Sequence, residues 1–188
     1  MAIHNAGESS RTTHGAPSAV DACRYFAGLL LGALEEQLLT SLFYSGVDRY
    51  HRHRQPLPRE IAEIANGSCK LKEPPEIIGS GFVVRSLEAA LWAFHRTDCF
   101  REGALRAVNL GDAVDTTGAI YGQLAGVYYG VNAIPQDWIV RLALRLGAVP
   151  CQPGLGKLRR IYPSRFKIVG KIEERVCDEV CGNKRTII

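Results

Sequence analysis

Long apolar runs are absent from this chain of 188 residues. The most apolar stretch, Tyr25–Leu34, is far shorter than the roughly 20 apolar residues that a membrane-spanning helix requires. The start, MAIHNAGESS, lacks the apolar segment of a secretory signal peptide. These absences exclude an integral membrane protein and predict a cytoplasmic location without membrane partners.

Several common catalytic signatures are also missing. The chain has no G-x-S-x-G elbow, no P-loop and no dinucleotide-binding fingerprint, and it offers no persuasive serine or cysteine nucleophile. Alternation of apolar and polar residues, which marks a half-buried strand, does not occur before residue 150. The prediction is therefore an all-α protein.

Six cysteines are present, and without a secretory signal they are interpreted as reduced thiols. Cys177 and Cys181 are four residues apart and could share a helix face and bind a metal ion. A zinc site would need a second Cys or His pair at suitable spacing nearby, and none follows. Ordinary thiols are the preferred interpretation.

Charge divides the chain into two regions. Residues 1–149 hold 14 Lys and Arg against 15 Asp and Glu, whereas residues 150–188 hold 9 against 4. We predict a helical domain over 1–149 and an irregular basic tail over 150–188. A basic tail can attract nucleic acid or acidic lipid. Because aromatic-interleaved and zinc-finger motifs are missing, a solvated tail is preferred and nucleic acid is not expected as a partner.

Apolar periodicity predicts most of the helices. Pro17 suits a first helical turn, and leucines recurring every three or four residues predict one helix from about Ala16 to Phe43. The polar segment Tyr44–Pro58 is predicted as a loop. A helix over Val83–His95 is expected to bury its stripe of Leu, Trp and Phe side chains.

The most informative stretch runs from Asn109 to Gly130 and reads NLGDAVDTTGAIYGQLAGVYYG. A helix is predicted over Thr116–Tyr129. Glycine occurs at every fourth position from 118 to 130, which forms a bare stripe along one face. Each glycine costs a helix about 0.8–1 kcal/mol relative to alanine, so we expect another backbone, a metal site or a ligand against that face.

Oxygen donors precede this helix. Asp112, Asp115, Thr116 and Thr117 carry the carboxylates and hydroxyls that Mg²⁺ prefers. For Asp115 and Thr116 the alternative is that they simply cap the helix, as both residue types do well.

This stretch resembles the C-terminal signature of the ADP-ribosylglycohydrolase family, which includes the dinitrogenase reductase-activating glycohydrolases. Three further segments match in the family's order: SSRTTHGAPSAVDACRYFAGLLLGAL from Ser9, SGFVVRSLEAALWAFHRTDCFREGALRAVNLGD from Ser80, and IPQDW from Ile134. The resemblance covers about Gly7 to Leu146. It implies an α-helical enzyme with two Mg²⁺ ions that cleaves the bond joining ADP-ribose to a protein or small molecule.

The resemblance also implies which residues hold the metal. Asp115 and Thr116 match the second Asp of the family signature and its Thr. The first metal-binding Asp aligns with Ala113, which has no ligand atom. Asp112 lies one position too early, and one helical residue is a rotation of about 100°. The family's acid-acid-threonine cluster near the N-terminus has no counterpart in this sequence, which we interpret as a truncated copy.

Two further residues correspond to positions near the family's ligand cleft. His14 precedes a helix start, where a phosphate could bind; the alternative is a structural loop histidine. Phe82 could stack on a base or ribose; the alternative is core packing.

Two functions are therefore open. One is Mg²⁺-dependent release of ADP-ribose from a modified substrate, impaired in this copy or completed by another polypeptide. The other is a homologue without catalysis, which binds ADP-ribose or has no retained function. A missing N-terminal part would expose core surface, which predicts self-association.

Overall fold

The computed structural model describes residues 1–35, 39–51 and 57–141, and in these ranges every regular element is a helix. The prediction of an all-α fold is confirmed. The elements are α1 Ala2–Arg11, α2 Pro17–Leu34, α3 Leu39–His51, α4 Arg59–Ala65, α5 Ser68–Leu71, α6 Val83–His95, α7 Phe100–Val108, α8 Val114–Tyr129, a 3₁₀ turn Val131–Ala133, and α9 Gln136–Arg141.

The chain divides into two compact units, Met1–Gln136 and Asp137–Ile188. The predicted boundary at 149/150, the basic tail, and Cys177 and Cys181 all lie outside the described residues. Over the ranges that the structure describes, no helix is both long and apolar enough to cross a membrane.

Helix α1 is an element that the apolar periodicity did not predict. Its buried residues, Ile3, Gly7 and Ser10, recur at helical spacing and form the face that packs on α2. Below it, Arg24 of α2 is only 4% exposed, and its guanidinium lies 3.0 Å from Asp21 Oδ1. Gly7 leaves the room that the Arg24 side chain fills.

The predicted single helix from Ala16 to Phe43 is wrong at its C-terminal end. Helix α2 ends at Leu34, and α3 continues to His51 through sequence that was predicted as loop. Helix α3 packs on α2, and the two backbones come close at Gly28 and Gly46: a methyl group on Gly28 would lie 2.9 Å from the Gly46 carbonyl oxygen. Tertiary packing therefore overrides the polar composition of the segment.

Helix α6 has the predicted bounds and forms the middle of the core. Its Leu87, Leu91 and Phe94 are at most 2% exposed and Trp92 is 5% exposed, so the predicted core stripe is confirmed. The Phe94 ring is surrounded by tyrosines of α8, with ring centroids 6.4 Å from Tyr121, 5.2 Å from Tyr128 and 5.9 Å from Tyr129.

Helix α8 begins at Val114, two residues before the prediction, and buries one face. That face is formed by Thr117, Tyr121, Leu124 and Ala125. The glycine stripe lies elsewhere. A methyl group on Gly118 would meet only the Val108 side chain, at 2.9 Å, and at Gly122 and Gly126 nothing described lies within 4 Å. Among the described residues, no other backbone therefore lies against the stripe at Gly118, Gly122 or Gly126; a ligand or a metal ion at this face stays a prediction.

Candidate functional site

The N-terminal turn of α8 is preceded by a tight backbone reversal. Gly111 and Asp112 both have positive φ, at 81° and 52°, and the Val114 N–H donates to the Asp112 carbonyl across 2.8 Å. Ala113, with φ −78° and ψ 61°, is the central residue of this inverse γ-turn. Since αL geometry is uncommon for a residue other than glycine, Asp112 occupies a position that few side chains adopt.

Asp115 and Thr116 lie inside the first turn of α8 and are both exposed. Asp115 Oδ1 accepts hydrogen bonds from the Thr116 N–H at 2.8 Å and from the Thr116 hydroxyl at 3.5 Å. The N-cap position belongs to Ala113, whose side chain makes no capping bond, whereas Asp115 satisfies a first-turn N–H from inside the helix. The capping interpretation is therefore met in part, and the metal role stays a prediction. Their oxygens form a small polar patch at the positive end of the helix dipole.

The neighbouring residues contribute little to this patch. Asp112 is exposed, but it stands before the helix and outside its first turn. Thr117 is fully buried, and its hydroxyl donates to the Ala113 carbonyl at 3.2 Å. Among the described residues no three His, Cys, Asp or Glu side chains come close enough to hold a metal ion.

These donors do not fit a two-ion magnesium site. Mg²⁺ demands near-octahedral oxygen coordination and is usually held by one or two carboxylates with several waters. The described patch supplies one carboxylate and one hydroxyl, and Ala113 has no donor where the resemblance expects a carboxylate. It could hold one edge of a single hydrated ion.

Gly79 brings a second segment to this turn. A methyl group on Gly79 would overlap the Gly111 carbonyl oxygen and would lie 3.7 Å from Thr117 Oγ1. Such a close approach of two backbones requires a residue without a side chain. Spacing along the chain did not reveal this contact, because Gly79 and Gly111 are far apart in the sequence. The contact places the residues that follow Gly79 beside the start of α8.

Phe82, three residues after Gly79, is 47% exposed. Its backbone N–H donates to Ser80 Oγ at 3.1 Å, and the buried Ser86 hydroxyl donates to the carbonyls of Ser80 and Phe82. These bonds fasten the segment to α6 and leave the ring facing outward. Core packing is therefore wrong for Phe82, and the ring is free to contact a ligand.

His14 lies in the turn between α1 and α2. It is exposed, its Nδ1 lies 3.0 Å from Thr13 Oγ1, and its backbone N–H donates to the Ser10 carbonyl at 2.7 Å. Both hydrogen bonds therefore join His14 to residues between Ser10 and Thr13. Neither of them links His14 to Asp115 or Phe82.

Cys69 is placed where its thiol cannot supply a nucleophile. It is fully buried, and burial, followed by the nearby Glu88 carboxylate, raises the pKa of this thiol to about 12. A thiol with that pKa stays protonated at neutral pH, whereas the thiolate is the nucleophile.

Comparison with known proteins gives a consistent result. The family profile described as ADP-ribosylglycohydrolase matches residues 1–161. An ADP-ribosylarginine hydrolase Tri1 of Serratia proteamaculans is 38% identical over 136 residues, and one of Pseudomonas putida is 37% identical over 138 residues. Each alignment covers 71% of this chain and 34% of the relative. This chain thus spans about a third of the length of these relatives.

Two other similar proteins agree. The ADP-ribosyl-[dinitrogen reductase] glycohydrolase of Rhodospirillum rubrum is 36% identical over 74 residues, which is 39% of this chain and 25% of that protein. A solved structure titled "ADP-ribosylglycohydrolase-related protein complex" superposes with a TM-score of 0.69 and 40% identity, covering 77% of this chain and 49% of that one.

Proposed function

Because this chain belongs to the ADP-ribosylglycohydrolase family, we propose that its function is hydrolysis of ADP-ribose from modified arginine in a protein. Two relatives are named ADP-ribosylarginine hydrolases, which supports arginine as the modified residue. In this proposal Asp115 and Thr116 contact a Mg²⁺ ion, and Phe82 contacts the ADP-ribose.

We propose further that the 188-residue polypeptide by itself is impaired in this reaction. The observation that carries this part is Ala113, a methyl side chain in the turn that presents Asp115 and Thr116. Catalysis depends on holding the reacting groups in a defined geometry, and the described donors are too few to define it. Binding of ADP-ribose without turnover is the second candidate, and the exposed Phe82 ring favours it.

The test combines turnover with binding. The purified chain is incubated with an ADP-ribosylated arginine peptide with and without Mg²⁺, and free ADP-ribose is measured by chromatography. Binding of ADP-ribose is measured by calorimetry. We expect binding without turnover; Mg²⁺-dependent release of ADP-ribose by the chain alone would contradict the impairment. If the chain neither binds ADP-ribose nor releases it from the peptide, the proposed function has no support.

Variants assign the effect to the turn before α8. Ala113→Asp adds a carboxylate at an N-cap position, where Asp is a favoured residue, so the variant should fold and bind Mg²⁺ more tightly. Asp115→Asn should weaken Mg²⁺ binding. Glu102→Gln on α7 is the control, because Glu102 is exposed and pairs only with Arg106 among the described residues, at 3.0 Å. A control that changed Mg²⁺ binding equally would rule out a specific role for the turn.

A further inference from the structure

A cavity of about 460 Å³ lies between α4, the segment from Lys72 to Phe82, and α6. We name it the α4–α6 cavity. Its floor is apolar, since Ile64, Ile77 and Val84 line it and are 1%, 2% and 8% exposed. Its volume is within the range of small-molecule sites, and the cavity can accommodate one long side chain.

The polar lining of the α4–α6 cavity carries an excess of negative charge. Four carboxylates and two cationic groups line it: Glu60, Glu63, Glu76, Glu88, Lys72 and Arg85. Lys72 Nζ lies 2.7 Å from Glu88 Oε1, and Arg59 Nε lies 3.0 Å from Glu63 Oε1, so the charges of these two pairs offset each other. The excess then rests on Glu60 and Glu76 against Arg85. Glu60 and Glu76 are exposed and have no ion-pair partner in the part of the chain that the structure describes.

Aromatic surface adds a second feature that attracts cations. The Phe82 ring is 47% exposed at the rim, beside Ile78 at 37%. A guanidinium or ammonium group is attracted to the face of an aromatic ring. A ligand that matches all these features has an apolar stem for the floor and a positive head for the rim, which describes arginine and lysine side chains. Arginine matches better, because its planar head both stacks on rings and pairs with carboxylates.

The α4–α6 cavity also adjoins the candidate site. Phe82 belongs to its rim, and Gly79, three residues earlier, lies against the turn that presents Asp115. A polypeptide with one residue at that turn could therefore place a neighbouring side chain in the cavity.

We propose that the α4–α6 cavity binds a basic side chain, arginine before lysine, of the polypeptide that carries the ADP-ribose. This inference rests on the proposed function, and it adds a rule for substrate choice: modified residues with a basic neighbour are preferred. The carboxylates of Glu60 and Glu76, which have no ion-pair partner among the described residues, supply the charge complementarity.

The test uses a short peptide without ADP-ribose, acetyl-Gly-Arg-Gly-amide, and a matched peptide in which neutral citrulline replaces arginine. Binding to the ¹⁵N-labelled 188-residue chain is followed by NMR. The arginine peptide should shift the backbone amides of α4 and of Ile77 and Ile78. The citrulline peptide should bind several-fold more weakly, and added salt should weaken binding of the arginine peptide.

Charge variants of the cavity lining should change the affinity for the arginine peptide in opposite directions. The double variant Glu60→Gln, Glu76→Gln should lower the affinity for the arginine peptide by about three- to ten-fold, which is the effect expected from the loss of two exposed ion pairs. Arg85→Gln removes a repelling charge from the lining and should strengthen binding. Glu102→Gln on α7 removes a carboxylate of the same kind that does not line the cavity, and it should change nothing.

The outcomes separate this inference from the proposed function. Equal binding of the arginine and citrulline peptides, or an arginine affinity that the double variant leaves unchanged, would overturn the role of the cavity even if the chain binds ADP-ribose. Conversely, specific binding of the arginine peptide by a chain that neither binds nor releases ADP-ribose would show that the cavity binds arginine, and it would refute the proposed function together with the assignment of that arginine to an ADP-ribosylated polypeptide.

Discussion

Replacement of Gly79 by alanine tests the contact that joins two parts of the candidate site. The added methyl group would overlap the Gly111 carbonyl oxygen and lie 3.3 Å from the carbonyl carbon. The obstacle is backbone rather than the end of a flexible side chain, so one of the two segments has to move. Gly111 itself has φ of 81°, a conformation that other residues adopt only with strain.

The expected cost follows from two opposing terms. Overpacking of this kind costs about 1–3 kcal/mol. Alanine also restricts the unfolded chain, which offsets about 0.4–1 kcal/mol. We expect Gly79→Ala to lower the free energy of unfolding by about 1–2 kcal/mol, which corresponds to a fall in Tm of about 2–8 °C for a chain of this size.

Gly81→Ala is the matched control two residues away. A methyl group on Gly81 meets nothing within 4 Å, and its φ is not in the positive region. This variant should be neutral or slightly stabilising. Urea and thermal unfolding of both variants measure the difference, and calorimetry with ADP-ribose shows whether displacement of the Phe82 segment weakens binding. Equal stability of Gly79→Ala and wild type would refute the close backbone contact.

Three further predictions concern the scaffold. Gly7→Ala should lower the free energy of unfolding by about 0.5–2 kcal/mol, because its methyl group would lie 2.7 Å from Cζ of the buried Arg24, whose guanidinium Asp21 holds at 3.0 Å, while the higher helix propensity of alanine offsets part of the cost; Gly15→Ala, which meets nothing, is the control, and equal denaturation midpoints would refute the clash. Tyr121→Phe should cost about 0.5–1.5 kcal/mol, since the hydroxyl donates to a buried backbone carbonyl at 3.1 Å; a urea midpoint at the wild-type value would show that this bond contributes nothing. Burial, with the nearby Lys70 and Arg96, lowers the pKa of His95, so the unfolded chain binds more protons and stability should fall as pH drops below about 6.5. His95→Gln should flatten this dependence in unfolding measurements from pH 7 to pH 5, and an unchanged slope would exclude His95 as its source.

Some expectations remain predictions. Self-association and a cytoplasmic location were argued from the sequence, and no contact or distance in the described residues bears on either. The metal role of Asp115 and Thr116 is also a prediction. The structure presents both oxygens at the start of α8, and the Mg²⁺ binding experiments above decide whether they coordinate an ion.

The spacing of apolar residues was sufficient to predict a helix where that spacing is regular along the whole element. The apolar stripe of α6 recurs at helical spacing within 13 residues, so its bounds and its buried face followed directly from the sequence. The all-α class followed in the same way, and the family resemblance followed from four segments that match in the family's order. Pattern failed for the part of α3 after Phe43, because the buried Tyr50 stands in a segment whose polar residues dominate its composition.

What only the tertiary structure decided are the contacts between residues far apart in the chain. Gly79 lies on Gly111, and Glu60 of α4 and Arg85 of α6 line one cavity. Periodicity describes one element at a time, whereas these contacts depend on how helices pack and on where a missing side chain lets two backbones meet. The sequence alone thus determined the all-α class, the bounds of α6 and the identity of the candidate ligands, and packing decided which residues share a site.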